Sequence, residues 1–159
     1  MYQLRKATVN DTETVLSLYR DAVGREGCTW NEYYPSAETV EEDLGFDSLY
    51  VYESDGNVIG CVSVVGENEL DELDGWEHTE NVKEFARITI RRDYAGQGLA
   101  AKLLAGLFEK LKGEGCEALH ILVAVGNMAA QKTYTRLGFR LFGEVEMFGH
   151  LYHCGELVL

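Results

Sequence analysis

The sequence predicts an α/β protein built on one mixed sheet with helices packed over it. Three observations carry this. Short β-type segments come first and are joined by tight-turn chemistry; later segments alternate as strand–helix–strand–helix–strand; and two of the helical segments have clear amphipathic spacing. At 159 residues, 46% hydrophobic and 26% charged, the expectation is one domain over 1–159 with a core of ordinary size. That composition excludes disordered, collagen-like and disulfide-dense chains.

Tyr2, Leu4 and the pair Arg5-Lys6 read as a short first strand, and Thr8 to Asp11 as a capped helix start. Val15, Leu18, Tyr19 and Ala22 then recur at helical spacing. Ser36 to Leu44, after Pro35, reads as a second short helix with Ser36 as cap and Glu38 in its first turn. Leu49 to Tyr52 and Val58 to Val65 read as strands joined by Asp55-Gly56-Asn57, a hairpin signal that makes them an antiparallel pair. The stretch 66–80 holds seven acids and no base and is expected to be a long loop. Phe85 to Arg91 is the next strand. After Asp93-Tyr94-Ala95-Gly96-Gln97-Gly98, the apolar residues Leu99, Leu103, Leu104, Leu107, Phe108 and Leu111 mark an amphipathic helix that ends at Glu114-Gly115. Ala118 to Val125 is a near-continuous apolar strand, Met128 to Leu137 a helix closed by Gly138, and Phe139 to Phe142 and His150 to Leu159 are the last strands.

Charge and cysteine usage narrow the function classes. The net charge is −13, which disfavours nonspecific attraction to nucleic acid or an anionic membrane. Residues 1–86 hold 5 basic and 20 acidic residues, whereas 87–159 hold 9 and 7, so the halves are expected to face different ligands. No apolar run approaches the ~20 residues of a spanning helix. Met1 to Asp11 lacks the apolar core of a secretory signal, so a cytoplasmic location is the expectation. Cys28, Cys61, Cys116 and Cys154 form no Cys-x-x-Cys pair and are read as reduced thiols. His150-x-x-His153 lies in a strand pattern that puts the two rings on opposite faces, and His78 and His120 are equally unpromising as ligands, so no metal site is expected.

The chemistry-bearing feature is the strand that runs into Gly96-Gln97-Gly98 and then a helix. Such a turn leaves backbone N–H groups at the helix start pointing outward, and with the helix dipole they form an anion site suited to phosphate. Glycine at 96 and 98 permits close approach, and Arg91, Arg92 and Lys102 add positive charge nearby. Neither a P-loop nor a Gly-x-Gly-x-x-Gly dinucleotide fingerprint is present.

Two segments taken together carry a resemblance. Arg91-Arg92-Asp93-Tyr94-Ala95-Gly96-Gln97-Gly98-Leu99-Ala100, followed by Asn127-Met128-Ala129-Ala130-Gln131-Lys132-Thr133-Tyr134-Thr135-Arg136-Leu137-Gly138-Phe139, resembles the GNAT N-acetyltransferase superfamily. The first is similar to its Gln/Arg-x-x-Gly-x-Gly/Ala cofactor loop, the second to its Asn-x-x-Ala-x-x-x-Tyr-x-x-x-Gly-Phe segment. The resemblance covers roughly Glu84 to Phe142 and implies a central, mostly antiparallel sheet splayed at the cofactor strand, with helices on both faces. It also implies acetyl-CoA as cosubstrate. The cofactor's arm would hydrogen-bond along Ile88, Thr89 and Ile90, its phosphates would sit on Ala95, Gly96, Gln97, Gly98, Leu99 and Ala100, and Asn127 and Ala130 would complete the pocket. One departure stands out. Ala95 occupies the place of the family's Gln or Arg, and Arg92 or Gln97 is the available substitute.

The resemblance implies N-acetyl transfer to a primary amine of a small molecule or peptide by direct attack, with a noncatalytic acyl-CoA-binding regulatory module as the other reading. Tyr134 is the candidate general acid, since a phenol can protonate a departing thiolate while staying neutral; a core tyrosine is the competing interpretation. Asn127 either binds the cofactor's arm or caps its helix. Glu84 matches the position of a general-base glutamate in some members of the superfamily, the other source of a base being bulk-connected water. Trp30, Tyr33 and Tyr34 are candidates for the acceptor pocket, and the acidic first half suggests a cationic acceptor. Exposed strand edges near the C-terminus are compatible with a monomer or a homodimer.

Overall fold

The computed structural model describes residues 1–66 and 69–159, Glu69 by its backbone alone; Glu67 and Asn68, within the expected acidic loop, lie outside the described residues. The elements in chain order are β1 (Tyr2–Lys6), α1 (Thr12–Ala22), α2 (Ala37–Gly45), β2 (Leu49–Ser54), β3 (Asn57–Val65), β4 (Val82–Ile90), α3 (Leu99–Gly113), β5 (Ala118–Ala124), α4 (Met128–Leu137), β6 (Arg140–Met147) and β7 (His150–Val158). The seven strands form one sheet in the order β1-β2-β3-β4-β5-β7-β6. Every neighbouring pair is antiparallel except β4 with β5, which is parallel.

Local chemistry sets the element boundaries. Asp11 bonds back to the Thr8 N–H at 2.8 Å and receives the Arg5 guanidinium in a two-pronged contact at 2.8 and 2.9 Å. That pairing with Arg5 holds the Asp11 carboxyl below its ordinary range. The turn between β2 and β3 has positive φ at both Asp55 and Gly56, 49° and 84°, the paired left-handed geometry that matches hairpin twist. Gly138, at φ 106°, closes α4 as expected. Among its described residues, the stretch 66–80 contains one 3₁₀ turn, Glu69–Glu72. Several strands run beyond their predicted ends, β2 reaching Ser54 rather than Tyr52. β4 begins at Val82 rather than Phe85, and β6 continues to Met147 rather than stopping at Phe142. The added part of β6 is polar and half-solvated, so no continuous apolar signal marks it.

The sheet is covered on both faces. On one, Leu99, Leu103, Leu104, Leu107 and Leu111 of α3, all at most 3% exposed, pack with Tyr134 of α4 against Val62, Val64, Phe85, Leu119, Ile121 and Val123. At about 2 kcal/mol per fully buried leucine, that helix alone contributes on the order of 10 kcal/mol of gross burial. On the other face, Val15, Leu16, Leu18 and Tyr19 of α1 and Val40 of α2 pack on Leu49, Val51 and Cys61. Trp30 belongs to this second cluster, edge-on to Tyr19 with ring centroids 5.5 Å apart, and so buttresses α1. Among the described residues no helix is long and apolar enough to cross a membrane.

The sheet is deformed where β4 meets β3. Cys61 stands opposite Thr89 and Ser63 opposite Ala86, so between these pairs one residue of β3, Val62, faces two of β4, Arg87 and Ile88. The extra residue makes a β-bulge, and Arg87 within it has φ 52°, a left-handed conformation that costs a non-glycine residue about 1–2 kcal/mol. Its guanidinium donates to both oxygens of Asp43 on α2, at 2.9 and 3.0 Å, and to the Tyr34 hydroxyl at 3.2 Å. Ser63 donates to the same carboxylate at 2.6 Å. Asp43 is thus a buried counter-charge that ties α2 to the bulge. Replacing Asp43 with Ala strands the Arg87 charge and is expected to cost about 3 kcal/mol of stability, read as a lower urea midpoint at unchanged slope.

Candidate functional site

The bulge bends β4 away from β5. Their parallel pairing spans only Val82–Glu84 against Ala118–His120, although β4 stays paired with β3 as far as Ile90 and β5 with β7 as far as Ala124. Beyond Glu84 the two strands therefore part, and the edge of β4 from Phe85 to Ile90 borders a wedge-shaped slot in the sheet. Ile88 is half-buried and Thr89 and Ile90 are buried along it. Arg25, in the loop after α1, donates to the Ile90 carbonyl at 2.9 Å and pairs with Asp21 at 2.6 Å, which fastens this end of the strand to α1.

The slot leads into the glycine turn. After a 3₁₀ turn at Arg92–Tyr94, residues Ala95, Gly96, Gln97 and Gly98 are all exposed and α3 starts at Leu99. Gly96 and Gly98 have φ 78° and 72°, and a Cβ built on either would meet nothing within 4 Å. The backbone donors at the start of α3 thus face open space, and a side chain at either glycine would occupy the room that a phosphate needs. The two arginines before the turn are already engaged. Arg91 grips Asp93 at 2.7 and 3.2 Å, while the Arg92 backbone N–H and guanidinium bind the Asp21 carboxylate and carbonyl at 2.7 to 3.4 Å. Asp21, Arg91, Arg92 and Asp93 line an open hollow of about 440 Å³ at the entry to the turn. The groups at this turn left without side-chain neighbours are the backbone donors of the exposed stretch 95–98.

Helix α4 forms the other wall. Asn127 Oδ1 accepts from the Ala130 N–H at 3.1 Å, so Asn127 caps the helix, and its amide nitrogen is not used in that contact. Gly27, in the α1–α2 loop, lies against Asn127: a Cβ there would be 2.8 Å from the Asn127 Cα. Gln131 donates to the Ala124 and Val125 carbonyls at 3.0 and 2.8 Å and holds the end of β5 on α4. Ala130 is half-buried against the main cluster. Tyr134 is 8% exposed and packs edge-on against Phe85 of β4, with centroids 5.5 Å apart. Burial pushes its phenol pKa up, so the hydroxyl stays protonated throughout the physiological range.

Glu84 stands half-buried at the apex of the slot, in register with Val65 on one side and His120 on the other. At the end of β5, Gly27, Cys28, Thr29, Ala124, Val125, Gly126, His150 and Leu151 line a second cleft of about 350 Å³. Tyr33 and Tyr34 are both exposed, and Tyr34 is anchored by its contact with Arg87. Among the described residues no group of three or more His, Cys, Asp or Glu side chains is arranged to hold a metal ion.

Sequence reasoning passed over one cluster beside this apex. His120 is 2% exposed and Glu156 4%, with His120 Nε2 at 2.8 Å from Glu156 Oε2. The Trp76 indole stacks on the imidazole at 3.8 Å between centroids and 9° between planes. Glu156 also accepts from the Glu77 and His78 backbone N–H groups at 3.1 and 3.0 Å and from Arg140 at 3.2 Å. Burial alone would raise the Glu156 pKa, but these N–H donors and His120 outweigh it and hold the carboxyl below its ordinary range. The available signal was a single polar residue inside each of two otherwise apolar runs, Ala118-Leu119-His120-Ile121-Leu122 and Cys154-Gly155-Glu156-Leu157-Val158.

A sheet split between two parallel strands beside an exposed glycine turn at a helix start is the architecture to compare with known proteins. The chain belongs to the acetyltransferase (GNAT) family, whose sequence model matches residues 14–139, and it is an acetyl-CoA-dependent N-acetyltransferase. It is 29% identical over 157 residues to the L-methionine sulfoximine/L-methionine sulfone acetyltransferase of Pseudomonas aeruginosa, covering 92% of this chain and 84% of the relative. A GNAT acetyltransferase structure from Streptococcus agalactiae superposes with a TM-score of 0.86 at 24% identity, covering 99% of this chain and 95% of that one. A putative acetyltransferase from Salmonella typhimurium, solved with acetyl-CoA, superposes with a TM-score of 0.76 at 19% identity over 99% and 94% of the two chains.

Substituting Gly98 with Val is expected to weaken CoA binding at least tenfold by calorimetry, because the branched side chain fills the space over the helix start. The unaltered enzyme and a surface variant such as Lys112→Gln serve as references for folding.

Proposed function

We propose that this chain acetylates the primary amine of a small molecule or peptide by direct attack, with no covalent enzyme intermediate. The observation that carries this reading is the free run of β4 from Phe85 to Ile90, opening at one end onto the exposed glycine turn and at the other onto Glu84. Acetyl-CoA supplies the activated thioester. In this reading the backbone of Ile88 to Ile90 holds the cofactor's arm and polarises the acetyl carbonyl through an N–H donor. The backbone of Ala95 to Ala100 takes the phosphates, and the Asn127 amide nitrogen donates to the arm.

Glu84 accepts a proton from the acceptor's ammonium, since only the free amine carries the lone pair that attacks. Its half-buried place at the apex of the slot suits that role. Tyr134 donates its phenolic proton to the departing thiolate. Desolvation, which keeps that phenol neutral, also makes the protonated form the resting state. The acceptor enters by the cleft at the end of β5, between the α1–α2 loop and the start of β7. The likeness to the Pseudomonas enzyme, which acts on derivatives of methionine, supports a small amine of amino-acid type as the first class to test, with cationic amines and basic peptides next.

Thiol release from acetyl-CoA, measured against a panel of those amines, tests the reading: release that depends on one class of amine is expected, and release from none overturns it. Tyr134→Phe is expected to lower kcat about 10- to 100-fold with CoA affinity unchanged. Glu84→Gln is expected to lower kcat by a similar factor at pH 6 and by less at pH 9, where more of the acceptor is already deprotonated. Full activity of Glu84→Gln from pH 6 to 9 would remove the base assignment.

A further inference from the structure

An acid stands where a helix least favours one. Asp21 lies in the last turn of α1, where unpaired carbonyls give the helix end a partial negative charge that repels a carboxylate. The compensation comes from two other segments. The Arg25 guanidinium donates to Oδ2 at 2.6 Å and the Arg92 backbone N–H to the same oxygen at 2.9 Å, while the Arg92 guanidinium donates to Oδ1 at 3.4 Å and to the Asp21 carbonyl at 2.7 Å. Arg25 folds back onto the helix end because the chain reverses at Gly24, φ 87°, with the Arg25 N–H bonded to the Ala22 carbonyl at 3.1 Å. Burial alone would raise the Asp21 pKa, but the Arg92 N–H and the Arg25 guanidinium outweigh it and hold the carboxyl below its ordinary range.

The second arm of Arg25 shows what this bracket holds. Its Nη1 donates to the Ile90 carbonyl at 2.9 Å. The N–H of the same peptide unit, that of Arg91, bonds to the Ile59 carbonyl of β3 at 2.7 Å. In a trans peptide the C=O and N–H point opposite ways, so the Ile90 carbonyl is turned away from β3, toward the edge that borders the slot. The preceding peptide is turned the other way: the Thr89 carbonyl lies on the β3 side, 2.9 Å from where a Cβ on Gly60 would stand, and the Ile90 N–H accordingly faces the slot. At its last residue, then, the edge of β4 presents a donor to the slot and has its acceptor occupied by Arg25.

We infer that Asp21 is a positioning residue for the cofactor: through Arg25 and Arg92 it fixes where the free edge of β4 ends and where the glycine turn begins, and so governs CoA affinity from the last turn of α1. With its carbonyl occupied, Ile90 is the last residue of the edge that can pair with the cofactor's arm, and it can do so only as a donor. Arg92 opens the 3₁₀ turn that leads to Gly96 and Gly98, and its backbone N–H is fastened to the carboxylate that also holds Arg25. One side chain thus sets residue 90 and residue 92 relative to each other, on either side of the point where the arm gives way to the phosphates. The inference rests on the proposed placement of the arm along β4 and of the phosphates on the turn, which Gly98→Val tests separately.

Calorimetric CoA binding and amide exchange test the inference without turnover. Asp21→Asn keeps the size of the side chain and removes the charge that gathers the three donors. The Kd for CoA is expected to rise about 5- to 10-fold, and a Kd within about twofold of the parent's overturns the inference. By NMR, exchange of the Arg92 N–H is expected to quicken about tenfold in Asp21→Asn while that of the Arg91 N–H, bonded to β3, stays as it is; equal exchange of the Arg92 N–H in both proteins overturns it as well. A role confined to stabilising α1 would lower the melting temperature and move neither readout. Because Asp21 acts in part through Arg25, the Kd change in the Asp21→Asn, Arg25→Gln double variant is expected to fall short of the product of the two single changes; a full product would make the two residues independent and remove the bracket. Should Asp21→Asn fail to fold, Arg25→Gln decides alone, with CoA affinity expected to drop at least about threefold and an unchanged affinity overturning the inference. Loss of CoA affinity in Gly98→Val together with parental affinity in Asp21→Asn would remove this inference and leave the cofactor's placement standing, whereas parental affinity in Gly98→Val would remove the placement itself.

Discussion

The pairing of Arg87 with Asp43 is the constraint from which the rest of the site follows. Arg87 sits in a backbone conformation that disfavours it by about 1–2 kcal/mol, and nothing local to β4 repays that cost. Repayment comes from α2, 44 residues earlier in the chain, whose Asp43 meets the guanidinium with two hydrogen bonds and is itself steadied by Ser63. Burial works most strongly against the Arg87 charge, but Asp43 together with the Tyr34 and Tyr19 hydroxyls outweighs it, and the guanidinium pKa rises. With the bulge held, β4 turns away from β5 after Glu84 and the slot exists. Without it, an undistorted parallel pair would close the sheet and leave no edge for a ligand to pair with.

The two hydrophobic clusters hold this opened sheet together from opposite sides. Because β5 loses β4 beyond His120, its far half depends on β7 and on the α4 contacts that Gln131 makes with the Ala124 and Val125 carbonyls. Close approach of backbone makes the packing possible at two glycines in particular. A Cβ on Gly60 would lie 2.9 Å from the Thr89 carbonyl, and one on Gly155 2.8 Å from Ile121. Both positions flank the slot, on β3 beside β4 and on β7 beside β5, so tight packing on either side compensates for the missing pairing between them.

Features governed by short-range chemistry were legible in the sequence, and features governed by distant pairings were not. The α4 boundaries, Met128 and Leu137, follow from a capping Asn127 and a closing Gly138, both local signals. The β2–β3 turn and the exposed glycine loop are of the same kind. By contrast, Arg87 reads as one more residue of an apolar strand, because its partner Asp43 sits in a helix whose approach cannot be inferred from spacing. His120 reads as one polar residue in an apolar strand, and its partner lies 36 residues away on β7. Trp30, a candidate for the acceptor wall, instead packs on Tyr19, since an aromatic near a turn gives no indication of which face it will cover.

The charge asymmetry of the chain also takes on a structural meaning. Four acids of the first half are counter-ions to arginines: Asp21 for Arg25 and Arg92, Asp43 for Arg87, Asp11 and Glu53 for Arg5. The arginines nearest the glycine turn are consequently neutralised by neighbours, and Arg91 is further occupied over the Tyr94 ring at 4.9 Å. In the proposed reading, phosphate recognition then depends on fixed backbone N–H groups and the dipole of a fifteen-residue helix, which are set by fold geometry and carry no side-chain rotamers to order. For the same reason, Ala95 in place of the usual Gln or Arg removes one side-chain contact while leaving the donors that the turn itself creates. The arginine pairs act instead on the turn's position: Asp21 binds the Arg92 backbone N–H and Arg25 the Ile90 carbonyl. These two contacts fix the end of β4 and the entry to the turn against α1, so that the slot and the anion site hold one geometry before any ligand arrives.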